Sequence, residues 1–176
     1  MLTMWAKHKQ QPGFTIVELL IVIVIIGILA AITIVAYNGI QNRATNQQTV
    51  SSVRAYYAAL TAYTVDNGAY PAGNACLGTA TFYTSNPCYI GNSTYTHSTT
   101  LNNALAPYLN NGTPALSNAK IVSTFTGTGI FYYTASKYIG FPILGSNTCP
   151  TIAGATEQSK AVAGSDVYCR IDFPSV

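Results

Sequence analysis

Residues Phe14 to Ala36 read FTIVELLIVIVIIGILAAITIVA and hold one ionisable side chain, Glu18. From Leu19 to Ala36 only Gly27 and Thr33 interrupt the apolar side chains. Those 18 residues make about 27 Å of helix, nearly the thickness of a bilayer's hydrocarbon core, and Phe14 to Val17 extend it. A carboxylate in such a run must be hydrated, neutralised or paired, and the run itself supplies no partner. Lys7, His8 and Lys9 lie upstream, so the positive-inside bias keeps the N-terminus in the cytoplasm and sends the C-terminal part outward.

Two plain readings of this segment stay open. A secretory signal also has a basic start and an apolar centre, with a cut after Ala36, but its apolar core is usually only about 7–15 residues long. A simple uncleaved anchor needs neither a Gly13–Phe14 junction nor Glu18. As an acid in a first helical turn, Glu18 is favoured by the helix dipole, and four residues from Phe14 it lies near the interface rather than the bilayer centre.

Gly13, Phe14, Thr15, Glu18, Leu19 and Leu20, followed by Gly27-Ile28-Leu29-Ala30-Ala31 and Tyr37, closely resemble the N-terminus of type IV pilins. The resemblance covers about the first quarter of the chain; beyond Tyr37 it is one of layout. It implies a leader, residues 1–13, cut between Gly13 and Phe14 by a membrane prepilin peptidase, and N-methylation of the new Phe14 terminus. It implies a retained membrane and filament-core helix over 14–36, its outer half over 37–67, and a globular head over 68–176. Glu18 is then expected to pair with the Phe14 amine of a neighbouring subunit. The implied product is a helical homo-oligomer, built by separate assembly machinery from precursors in the cytoplasmic membrane and displayed as a cell-surface filament. Such filaments serve adhesion, twitching motility or DNA uptake. The alternative is a minor pilin or pseudopilin whose head binds a ligand, DNA or an exported protein in a pilus or a type II-like secretion system. Many relatives carry proline where this chain has Val35. Gly27 and Gly39 remain as points of helix flexibility, and glycine weakens a helix by about 1 kcal/mol where proline breaks it.

The helix is expected to run past the membrane, because Val50, Val53, Tyr57 and Leu60 recur at helical spacing and share one face. Asn67-Gly68 and Pro71 then stop it. A short helix is expected at Leu101 to Leu109. Strands are expected at Lys120 to Thr126, Ile130 to Ala135 and Lys137 to Leu144, with a turn at Gly127-Thr128-Gly129. Asp166 to Phe173 alternates, with Val167, Cys169, Ile171 and Phe173 on one face and Tyr168, Arg170 and Asp172 on the other. The predicted fold class is α+β: a long N-terminal helix whose outer half packs on a small antiparallel sheet, as in type IV pilins.

Cys76, Cys88, Cys149 and Cys169 all fall on the outer side of the membrane. An even count in an exported domain favours two disulfides among three pairings, and sequence-local closure suggests Cys76 with Cys88 and Cys149 with Cys169. No CxxC occurs and His97 is the only histidine beyond the leader, so neither a zinc site nor a nucleophile–histidine set can be assembled. No cofactor and no enzymatic activity are expected. The acids Asp66, Glu157, Asp166 and Asp172 are dispersed; Asp166 with nearby carbonyls is the one calcium candidate. Only 7% of residues are charged, and without Lys7 and Lys9 the balance is six basic against five acidic. That does not describe a nucleic-acid surface, although the 13 tyrosines offer stacking or adhesion to a surface or host ligand. Asn92-Ser93-Thr94 and Asn111-Gly112-Thr113 match a glycosylation sequon, a pattern frequent by chance in a chain rich in Asn and Thr.

Overall fold

The computed structural model describes residues 13–83, 88–90, 93–117, 119–121, 127–155 and 157–174. Residues 1–12 of the expected leader, the segment 122–126 of the expected strand and Asn92 lie outside them. The contacts divide the chain into two compact units, one ending at Asn38 and the other beginning at Gly39.

Helix α1, Ile16–Asn67, supplies nearly all of the described residues of the first unit and, from Gly39 on, a helix of the second. Its end follows from glycine: Gly68 adopts φ 71°, donates its N–H to Thr64 O at 2.8 Å, and continues the chain in a left-handed conformation that a side chain would disfavour. In the second unit Val53, Tyr57 and Leu60 are buried and Val50 packs beside them, with Tyr56 and Ala59 widening the stripe.

That stripe faces a five-stranded antiparallel sheet in the order β1-β6-β7-β9-β8: β1 Ala75–Leu77, β6 Ile130–Tyr133, β7 Tyr138–Ile143, β9 Asp166–Asp172 and β8 Glu157–Ala163. Leu77, Ile130, Tyr132, Ile139, Phe141, Val167, Cys169 and Ile171 point to α1 and form one core with it. This is the α+β arrangement of a helix on an antiparallel sheet.

The opposite sheet face is covered too. Tyr168 alternates away from α1 yet is only 5% exposed. Its ring lies across Gly140 on β7, where a Cβ would collide with the Tyr168 hydroxyl. A glycine in mid-strand thus makes room for a neighbouring strand's aromatic ring.

Four shorter strands form a second sheet in the order β3-β2-β5-β4: β3 Ser93–Tyr95, β2 Cys88–Ile90, β5 Gly127–Thr128 and β4 Lys120–Ile121. This corrects the expected turn at Gly127-Thr128-Gly129. Gly127 and Thr128 are strand residues, and only Gly129, at φ 71°, breaks the chain before β6. The Tyr83 ring packs so close to Gly129 that a side chain would not fit. Other boundaries shift by a few residues. α1 starts at Ile16 rather than Phe14, and the strand at 130–135 ends at Tyr133, where Thr134 to Lys137 turn the chain. The helix expected at 101–109 is α2, Thr99–Leu105, capped by Ser98, with a 3₁₀ turn, Ala106–Tyr108, started by Pro107.

Candidate assembly site

Gly13 and Phe14 precede the helix in non-helical backbone, and Phe14 is 84% exposed. Thr15 caps the first turn of α1. Its hydroxyl accepts from the Glu18 N–H at 3.2 Å, while Glu18 Oε2 accepts from the Thr15 N–H at 2.9 Å and the Thr15 hydroxyl at 2.8 Å. This reciprocal capping box satisfies two amides that the first helical turn would leave unpaired. Sequence reasoning passed over it, although Thr15-x-x-Glu18 before an apolar run is its signature.

Among the described residues, Glu18 Oε1 has no hydrogen-bond partner. Among the described residues the carboxylate is therefore anchored by Thr15 and unmatched by any cation. The neighbouring apolar side chains cover neither it nor themselves: Ile16, Val17 and Leu19 to Ile26 are all at least half exposed. Among the described residues, α1 is the one helix long and apolar enough to cross a membrane. Gly27 and Gly39 both lie inside the unbroken helix, and a Cβ at either would meet no atom within 4 Å.

The cysteines are joined as Cys76–Cys88 and Cys149–Cys169, with Cα separations of 5.8 and 5.6 Å. The first bond links β1 to β2 and so couples the two sheets. The second fastens β9 to the connection between β7 and β8.

The dispersed acids do not converge. Asp166 Oδ1 accepts from Gly145 N–H at 2.7 Å and Ser165 Oγ at 3.3 Å, so it pins the end of β7 to the start of β9. Asp172 pairs with Arg170 at 2.6 Å. Among the described residues no group of three or more His, Cys, Asp and Glu is placed to hold a metal. His97 sits half-buried beside Cys76 in an isolated bridge.

A residue that sequence reasoning did not single out joins α1 to the sheet. Asn46 Nδ2 donates to Leu144 O at 2.8 Å and Asn46 Oδ1 accepts from Leu144 N–H at 2.9 Å. The side-chain amide thereby takes the place of a neighbouring strand at the end of β7.

Residues 8–34 match the family model for the prokaryotic N-terminal methylation motif. The chain is similar to the type II secretion system core protein G of Klebsiella michiganensis, 40% identical over 65 residues, which is 37% of this chain and 46% of that protein. It is similar to the fimbrial protein of Neisseria meningitidis serogroup B, 39% identical over 74 residues, covering 42% of this chain and 44% of that one. It also resembles the type IV major pilin protein PilE1 of Neisseria gonorrhoeae, 38% identical over 73 residues, with coverages of 42% and 44%. The chain spans about half the length of the relatives it matches. No solved structure matches it. The methylation motif, the apolar helix and these relatives support a type IV pilin-like prepilin.

Proposed function

We propose that this chain is a structural subunit of a type IV pilus, cut between Gly13 and Phe14, methylated at Phe14, and assembled through packing of α1. The observation that carries the reading is the start of α1: an exposed apolar helix opens on a carboxylate that, among the described residues, is held only by Thr15. Before cleavage Phe14 N is an amide and offers no charge. Cleavage turns it into an ammonium group, the cation that Glu18 lacks among the described residues, at the same end of every subunit.

Lipid and neighbouring helices are both apolar, so transfer from one to the other supplies little selectivity, and packing and charge pairing must provide it. A carboxylate drawn into a fibre core without its cation would be strongly unfavourable, which makes the Glu18 to Phe14 contact a register device. Oε1 allows that contact to form while Oε2 keeps the cap. Surface filaments of this kind serve attachment, movement or DNA uptake.

The similarity to core protein G supports a second reading, a pseudopilin of a type II secretion system. Abundance in filaments sheared from cells separates the two: a pilin dominates the preparation, a pseudopilin does not.

The test is Glu18→Ala in the native producer. Intact mass with N-terminal fragmentation is expected to show a chain that still begins at methylated Phe14, while sheared filament falls by about tenfold or more, the loss that about 1.4 kcal/mol of assembly energy per subunit brings. Normal filament yield from that variant would remove Glu18 from assembly. A mature chain that begins after Ala36 would replace the filament reading with a secreted head.

A further inference from the structure

A groove of about 630 Å³ separates one face of α1 from the segment 108–115. Its floor consists of Ser51, Ala55 and Ala58, small side chains one helical turn apart. The segment is pinned on both sides of the opening. Leu109 is buried in the core, and Ala115 O accepts from Ser52 Oγ at 2.9 Å and from Gln48 Nε2 at 3.4 Å. Between the pins the chain bows outward through a turn in which Gly112, at φ 73°, donates its N–H to Leu109 O at 3.1 Å. That turn raises Asn110, Asn111 and Thr113 as the far wall. Tyr108 stands at one end, its ring held edge-on by Tyr63 at 5.8 Å and its hydroxyl accepting from Asn67 Nδ2 at 3.4 Å.

We propose that this groove is a binding site for a neutral saccharide. Its lining includes no Asp, Glu, Lys, Arg or His, and the Asp66 carboxylate at the Tyr108 end is engaged by the Tyr108 hydroxyl, so a charged ligand would find no opposite charge in the lining. A purely apolar ligand would strip water from the amides of Gln48, Asn110 and Asn111 and from the hydroxyls of Ser51 and Thr113 without replacing their hydrogen bonds, each at a cost. A sugar answers both constraints. Its hydroxyls donate and accept at short spacing, as amides and hydroxyls require, and its C–H face can lie on the tyrosine ring and the alanine floor. The volume lies in the range of about 300–1,000 Å³ common to small-molecule sites. The site lies wholly within the second unit, and its test does not depend on filament assembly.

The experiment is saturation-transfer NMR on the full chain in a zwitterionic detergent, with maltose, cellobiose and N,N′-diacetylchitobiose as neutral probes and digalacturonic acid as the anionic control. Transfer to at least one neutral probe and none to the anion is expected. Ala58→Trp fills the floor from an exposed helix position, and it should weaken binding by about tenfold or more. The double change Asn110→Ala with Asn111→Ala leaves the floor intact and should weaken binding in the same direction, which keeps the test independent of how well the tryptophan variant folds. Lys160→Ala, on β8 and outside the groove, should bind as the parent chain does. Absence of transfer to every neutral probe, undiminished transfer in both groove variants, or preference for the anion would overturn the assignment.

Discussion

Three tyrosine hydroxyls in the head face the same burial with different partners. Tyr83 Oη lies 3.0 Å from Leu77 O and 3.3 Å from Ile130 O, and accepts from the Ile130 N–H at 3.2 Å. Tyr57 donates to Gly154 O. Tyr56 is fully buried on α1, and among the described residues its hydroxyl has no partner. A buried hydroxyl without a partner keeps its desolvation cost, whereas a satisfied one returns part of it. Tyr56→Phe should therefore leave stability unchanged or raise it by up to about 1 kcal/mol, and Tyr83→Phe should lower it by about 1–3 kcal/mol because the Ile130 N–H is orphaned. Guanidinium midpoints of the two variants measure the difference; a loss in Tyr56→Phe as large as that in Tyr83→Phe would mean that the Tyr56 hydroxyl has found a bond. The same reasoning applies at Thr15, where one side chain serves both the helix end and the carboxylate.

At the level of elements, what the sequence made legible was what repeats. The apolar run and the stripe at Val53, Tyr57 and Leu60 carry a helical period over many residues, and Asn67-Gly68 closes it, so α1 was readable to within two residues at its start. β9 was readable because Val167, Cys169 and Ile171 alternate cleanly against the core. β8 reads EQSKAVA, without an alternating apolar face, because an edge strand borrows its position from β9 rather than from its own burial. The second sheet was hidden for a related reason. Its strands are two or three residues long, and pairings such as Tyr89 with Thr128 join positions far apart in sequence. The Thr15 cap was legible as a motif; Asn46 was not, since nothing local distinguishes an asparagine that reaches a strand end. That residue carries a prediction for the joint between helix and sheet. Asn46→Ala deletes two side-chain hydrogen bonds and leaves Leu144 N–H and C=O without them, so the head should lose about 1–3 kcal/mol with both disulfides intact. Denaturant unfolding monitored by tyrosine fluorescence measures it, and an unchanged midpoint would show that water replaces the amide fully.

For the whole molecule, the apolar helix of the first unit calls for lipid or neighbouring helices, while the second unit has a core of its own and two disulfides. The buried phenols report on that core alone. Burial pushes Tyr132 up to about 12, and it pushes Tyr56, Tyr83 and Tyr168 higher still, Tyr83 despite its bonds to backbone. An unfolded tyrosine ionises near 10. Below that pH the phenols are neutral in both states and the folded head keeps its full stability. Above it the unfolded chain releases protons that the folded head retains, so stability falls as pH rises toward and past about 12. Each of these four phenols then removes about 1.4 kcal/mol per pH unit, together roughly 5.6 kcal/mol per pH unit, against a total of about 5–15 kcal/mol for a domain of ordinary stability. The head should accordingly unfold cooperatively one to three pH units above 10, and the buried phenols should gain tyrosinate absorbance in the same step that removes the far-ultraviolet dichroism of the sheets. Complete tyrosinate absorbance near pH 11 with the dichroism unchanged would show instead that these rings reach solvent in the folded head, contrary to the packing of Tyr132 against Phe173 and of Tyr168 across Gly140.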